Sequence, residues 1–290
     1  MSAAPASRAE GPLALICGGG SLPLAVADLV AARGRKVLLF PLRGAADPKD
    51  FADRPHQWVH LGQFGTVARI ARANGCRDII CLGSVVRPSF WRLRPDFFTL
   101  KVLPQVAKAF RGGDDHLLSS VGRVIEQHGF RLLGAQEVAP EILVPQGALG
   151  RVQATERDRA DIALGFDYLY AAGPFDIGQA VVVADKRVLA VEAAEGTDQM
   201  LARVAQLRAN GRIGTAKDVG VLVKAPKPNQ DRRFDLPSIG PQTVESVVRA
   251  GLAGIAVAAG ETVIAEPDRL VGAADAGDIF VVGAPTGLKR

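Results

Sequence analysis

Aromatic residues make up only 6% of this 290-residue chain, and that scarcity removes one function class at once. Single strands of nucleic acid are held on aromatic stacking platforms beside a basic groove. Here the lysines and arginines are scattered, although they leave a net charge of +5. An excess of this kind favours small anionic partners, such as nucleotides and phosphates, or an acidic membrane surface. Cysteine is equally sparse: Cys17, Cys76 and Cys81 have no metal-ligand spacing, and two of them fall inside predicted strands. They read as buried, reduced thiols of a cytosolic protein. The histidines His56, His60, His116 and His128 share no H-x-x-x-H or triad-like pattern, which argues against a histidine-centred mechanism or a histidine-rich dimetal site. No segment reads G-x-x-x-x-G-K-[ST], and no apolar run approaches the roughly eighteen residues of a membrane span. The Ala-rich Met1–Glu10 stretch, followed by a short apolar run into glycines, reads as a frayed tail and not as a signal peptide. The expected location is cytoplasmic.

What is present is a globular composition, 48% hydrophobic and 22% charged, long enough for two modest domains. Leu13–Cys17 is a strand, Gly18-Gly19-Gly20-Ser21-Leu22-Pro23 a glycine turn, and Leu24–Arg33 a helix. Strands at Lys36–Phe40 and Ile79–Leu82, with a helix at Thr66–Asn74 before the latter, continue the alternation of a doubly wound parallel sheet. The glycine turn would aim backbone N–H groups and a helix start at an anion. Gly18 and Gly20 fit the first two glycines of a dinucleotide fingerprint, but Pro23 takes the third and no acid ends the second strand. NAD and flavin are therefore not expected, while another phosphate-bearing ligand is. After Ile79–Leu82 come Gly83, Ser84 and Arg87, at the carboxyl end of a strand where such sheets bind ligands. Gly112-Gly113-Asp114-Asp115-His116 opens a further helix with Asp114 as its cap. Residues 1–134 are thus expected to form a Rossmann-like domain, 135–150 a Pro- and Gly-interrupted linker, and 151–290 a C-terminal α/β catalytic domain.

In the second half, Ala180–Ala184 and Arg187–Glu192 read as a strand pair joined at Asp185-Lys186. Gln179, Glu195, Thr197 and Asp198 gather at one end of that pair, Thr197-Asp198 in the position of a helix cap. Further on, Lys224–Gly240 forms a long connection after a strand at Val219–Val223, stiffened by three prolines and carrying Lys224, Lys227, Arg232, Arg233, Asp231 and Asp235. Carboxylates that hold a divalent cation, together with lysines, are what phosphoryl transfer needs to neutralise charge on nonbridging oxygens.

The blocks GGGSLP (Gly18–Pro23), GSVVRPSF (Gly83–Phe90), KVLP (Lys101–Pro104), GDD (Gly113–Asp115), DIGQ (Asp176–Gln179), AVEAAEGTD (Ala190–Asp198), KAPKPNQD (Lys224–Asp231) and DLPSIG (Asp235–Gly240) resemble, in this order, the LpxI family. The resemblance runs from about residue 12 to residue 284. It implies hydrolysis of UDP-2,3-diacylglucosamine to UMP and 2,3-diacylglucosamine 1-phosphate in lipid A biosynthesis. Water would attack the β-phosphorus with a divalent cation, Mg²⁺, as cofactor. It also implies an N-terminal Rossmann-like domain tethered to a C-terminal α/β domain, with the essential carboxylate at Asp235. On this reading Asp235, Lys224 and Lys227 are catalytic, and Asp235 and Asp198 are metal ligands. Gly19, Gly20, Ser21, Gly83, Ser84, Arg87, Gln179, Glu195 and Thr197 would contact the substrate. The Phe90–Val102 stretch would enclose acyl chains or dip into the inner leaflet. The partner is a lipid-linked UDP-sugar and no nucleic acid; peripheral contact with the inner membrane and a homodimer are compatible with it. The alternatives are a non-catalytic nucleotide-sugar or lipid sensor and a Rossmann-type oxidoreductase.

Overall fold

The computed structural model describes residues 11–85, 94–102, 114–214, 218–228 and 230–285, with only the backbone of 114–116. The chain divides into two compact units, Met1–Pro140 with Asp231–Asp235, and Glu141–Gln230 with Leu236–Arg290. The units are therefore not continuous in sequence: five residues of the long charged connection belong to the first. The segment around 135–150 contains a one-turn helix and a short edge strand.

The first unit comprises β1 (Leu13–Cys17), α1 (Leu22–Ala32), β2 (Val37–Pro41), α2 (Phe64–Ala73), β3 (Asp78–Leu82), α3 (Asp114–Gln127), β4 (Arg131–Leu133) and α4 (Ala135–Val138). Its four strands are all parallel, in the order β2-β1-β3-β4. The unbroken apolar reading of β1 follows from that order, because a central parallel strand is covered on both faces. Cys17, at its end, is buried, and burial pushes its thiol up to about 12, so it stays neutral. The expected cap at Asp114 falls on a side chain outside the described residues.

At the other end of this sheet the Asp78 carboxylate is buried between Arg35 and Arg131. Burial pushes its pKa up, but the hydrogen bonds and charges of Arg131 and Arg35 outweigh it and hold the carboxyl below its ordinary range. A depressed carboxyl stabilises the fold above its unfolded value, roughly pH 4, and that stability is lost as pH falls from there through the folded value. Asp78→Asn should lower the melting temperature at neutral pH, by the equivalent of about 3 kcal/mol for a broken buried pair. It should also flatten the wild-type decline below about pH 4; parallel declines would assign that step to another group.

The second unit comprises β5 (Gly147–Ala148), α5 (Glu156–Ala172), β6 (Ala180–Ala184), β7 (Arg187–Val191), α6 (Thr197–Ala209), β8 (Val221–Lys224), β9 (Ser238–Ile239), α7 (Pro241–Arg249), β10 (Gly254–Ala258), β11 (Val263–Ile264), α8 (Pro267–Ala276) and β12 (Phe280–Ala284). Six strands form one sheet in the order β5-β12-β10-β8-β6-β7, with β8, β10 and β12 parallel and β6 antiparallel to β8. Alternation along β8 sends Val221 and Val223 to the α5 face and Leu222 to the face covered by α6, α7 and α8. The β6–β7 hairpin turns through Asp185 and Lys186, both at positive φ (52° and 57°). Neither is glycine, and the turn is held by the buried Asp161 of α5, whose carboxylate accepts the N–H of Asp185 at 3.0 Å and of Lys186 at 2.6 Å.

One boundary corrects the sequence reading. β8 spans Val221–Lys224 where the pattern puts a strand at Val219–Val223, so this lysine is the last residue of a buried strand and not the first of the long connection. No helix among the described residues is long and apolar enough to cross a membrane.

Candidate active site

In the first unit, β2 lies on one side of β1 and β3 on the other. The loops leaving the carboxyl ends of β1 and β3 therefore flank the point where an open sheet reverses its winding, the usual ligand crevice. Gly19 and Ser84 bridge them reciprocally, N–H to carbonyl, at 2.8 and 2.9 Å. That closeness explains two glycines without a ligand: a Cβ on Gly18 would stand 2.6 Å from the Ser84 carbonyl oxygen, and one on Gly83 would stand 2.7 Å from that of Gly19. Gly20, at φ +91°, has open space around it. Ser21 precedes α1 but makes no side-chain cap, and Gly20, Ser21, Gly83 and Ser84 are all exposed. The structure thus brings these four together with Gly19 at a helix start. Arg87, Phe90 and Trp91 lie outside the described residues. Within the described part of that stretch, Phe97 and Leu100 are 75% and 50% exposed, and the Lys101 ammonium lies 4.8 Å from the Phe97 ring centre. These two are not core residues.

Asp231–Asp235 forms a tight turn in the first unit. The N–H groups of Phe234 and Asp235 both donate to the Asp231 carbonyl, at 3.1 and 3.4 Å. Arg233 joins the carboxylates of Asp231 and Glu126, and its hydrogen bond, stronger than the opposing effect of burial, holds the Asp231 carboxyl below the usual range. Asp231 is in this way committed to an arginine. Asp235 is half-buried at the end of the turn.

The second unit assembles the remaining residues around the carboxyl end of β8. Lys224 is 7% exposed, and its ammonium donates to the Thr197 hydroxyl and to the Ser238 carbonyl, both at 3.0 Å. A buried ammonium needs such partners to offset its lost hydration. Thr197 in turn donates to Glu192 Oε1 at 2.8 Å, and Glu192 Oε2 accepts the N–H of Gln179 at 2.9 Å. Thr197 is therefore not the cap of α6. Gly196 takes that place, at φ 81°, and the threonine hydroxyl is turned to Glu192 instead. Lys227 pairs with Asp176. Glu195, in the turn before α6, is exposed and bonded to Arg203 of that helix at 2.9 Å, so the structure does not bring it into this network. Asp198, also exposed, accepts the Gln242 amide at 3.2 Å.

Sequence reasoning missed Glu192, which joins Gln179 to Thr197, and Asp176, which pairs with Lys227. The available signal was Gly178. A Cβ there would stand 2.4 Å from Glu192 Cγ, so the glycine of the Asp176–Gln179 block makes room for that side chain. A cavity of about 470 Å³ in the second unit, lined in part by Ile162, Phe166 and Phe280, lies on the α5 face of the sheet. It shares no lining residue with the Lys224 network.

Among the described residues no three of His, Cys, Asp or Glu form a metal-binding group. With a diphosphate, however, Mg²⁺ takes only one or two carboxylates from a protein and completes its shell with phosphate oxygens and water. A single carboxylate such as that of Asp235 is enough for an arrangement of this kind. Asp198 fits less well, because the first turn of α6 carries a helix N-terminal field that favours anions over cations.

Residues 12–142 match the LpxI N-terminal domain and residues 145–282 the LpxI C-terminal domain. The chain belongs to the LpxI family. A protein of Caulobacter vibrioides named UDP-2,3-diacylglucosamine pyrophosphatase LpxI is 45% identical over 273 residues, 93% of this chain and 96% of its own. Both the glycine loops of the first unit and the Lys224 network of the second fall inside the LpxI match.

Proposed function

We propose that the chain hydrolyses UDP-2,3-diacylglucosamine to UMP and 2,3-diacylglucosamine 1-phosphate, a step of lipid A biosynthesis. The observation that carries this reading is the buried Lys224 ammonium held at the carboxyl end of β8, in a chain so similar to a named pyrophosphatase of this substrate. Water attacks the β-phosphorus. A new P–O bond forms there, the bond from the β-phosphorus to the bridging oxygen breaks, and that oxygen leaves with UMP. Asp235 orients the attacking water and accepts its proton. Lys224 and Lys227 stabilise the charge that builds on the nonbridging oxygens, where fixed donors are worth most. Gln179 and Thr197 shape the sugar-phosphate end. Gly19 and Ser84 spend their N–H groups on each other's carbonyls, a close approach that Gly83 makes possible, so the two loops offer UDP or glucosamine the main chain of Gly20 and Ser21 at the start of α1 and the hydroxyls of Ser21 and Ser84. Mg²⁺, held by Asp235 and the diphosphate, would supply further neutralisation of the same oxygens. The exposed Phe97 and Leu100 beside Lys101 suit acyl chains or the inner leaflet.

Turnover in ¹⁸O-enriched water with Mg²⁺ tests the chemistry. The expected result is label in the 1-phosphate of the lipid product and none in UMP. Label in UMP would move the attack to the α-phosphorus. Binding of the substrate without hydrolysis would replace the enzyme with a sensor.

A further inference from the structure

We propose that Glu192 is a positioning residue of this enzyme, which fixes the direction of the Thr197 hydroxyl and thereby the place of the Lys224 ammonium. The inference rests on the assignment of Lys224 to the diphosphate made above.

The argument is one of hydrogen-bond polarity. A carboxylate can only accept, and an ammonium can only donate. The Thr197 hydroxyl lies between one of each, 2.8 Å from Glu192 Oε1 and 3.0 Å from Lys224 Nζ. Its proton must therefore point to Glu192, leaving its lone pairs to Lys224. Glu192 is itself fixed, because its other oxygen accepts the Gln179 N–H at 2.9 Å and its own N–H donates to the Ala180 carbonyl at 2.9 Å. The carboxylate also places a negative charge one hydroxyl away from a buried positive one, which offsets the cost of holding Lys224 at 7% exposure. On this arrangement Thr197 is an acceptor for the lysine and not a donor to phosphate. The donor to phosphate is Lys224.

Glu192→Gln keeps the shape but lets an amide N–H face Thr197, so the hydroxyl is no longer obliged to point one way. The expected result is a fall in kcat of about 10–100-fold with KM within about 3-fold, the scale on which residues supporting a directly acting group operate. Because Glu192 acts through the hydroxyl, the double variant Glu192→Gln/Thr197→Val should be no slower than Thr197→Val alone. Multiplying losses, or wild-type kcat in Glu192→Gln, would overturn the proposal. Gly178→Ala, which displaces the carboxylate without removing its charge, should reproduce the loss and serves if Glu192→Gln does not fold. A substrate-free readout separates this proposal from the pyrophosphatase reading. The ¹⁵N resonance of the Lys224 ammonium, identified by its absence in Lys224→Met, should be sharp in the wild type and broadened in Glu192→Gln. An unchanged resonance would overturn the role of Glu192 even if turnover is confirmed. A wild type without turnover would sink the pyrophosphatase reading while the resonance still decides Glu192.

Discussion

Asp235→Ala is expected to hydrolyse UDP-2,3-diacylglucosamine about 1,000-fold more slowly than the wild type, a loss near 4 kcal/mol of transition-state stabilisation. The size follows from the role: a carboxylate that orients water and takes its proton contributes on the order of 10²–10⁴-fold. Asp235→Asn should lose nearly as much, since the amide keeps the shape but cannot accept that proton. The fold should survive both changes. The turn that carries Asp235 is closed by main-chain bonds to the Asp231 carbonyl and by the Arg233 bridge between Asp231 and Glu126, and all of these remain in both variants. Steady-state rates beside thermal melts decide the matter. A folded Asp235→Ala that keeps wild-type turnover would leave this aspartate a purely structural role.

Lys224→Met should cost about 100–1,000-fold in kcat, the range for removing one fixed donor from a developing oxyanion. Methionine retains the apolar stem among the strands, so packing changes little, but the Ser238 carbonyl and the Thr197 hydroxyl lose the ammonium they share. Lys224→Arg should not restore the rate. The guanidinium is planar and larger, and a site that leaves lysine 7% exposed has no room to turn it. Rates measured at saturating substrate distinguish this from weaker binding. If only KM rises, Lys224 acts in the ground state and the transition-state role is wrong.

Much of the fold was legible in the residues. The strand at Leu13–Cys17 and the helix after its glycine turn follow from an apolar run cut by Gly18–Gly20, and the hairpin from two Val-rich runs separated by Asp185-Lys186. Short edge elements were not legible: β5 and β9 are two residues each, too brief to carry a period, and exist only because a neighbouring strand supplies partners. Capping was misread at Thr197 for a related reason. A threonine before a helix normally accepts a helix N–H with its hydroxyl, whereas Thr197 is the first residue of α6 and its hydroxyl donates to the Glu192 carboxylate, five residues away in sequence.

The alternation of strands and helices, the departure of Gly18–Pro23 from the dinucleotide fingerprint, the family, and the residue types that phosphoryl transfer draws on were all readable from the residues alone. These are properties of local pattern and composition, written in consecutive positions. It took the packed fold to show that Lys224 ends a buried strand, that Glu192 and not Glu195 faces Thr197, and that Asp231–Asp235 belongs with the first unit. Burial and hydrogen-bond direction depend on which distant groups arrive within about 3 Å, and that is set by strand register and helix packing, to which a linear pattern is blind.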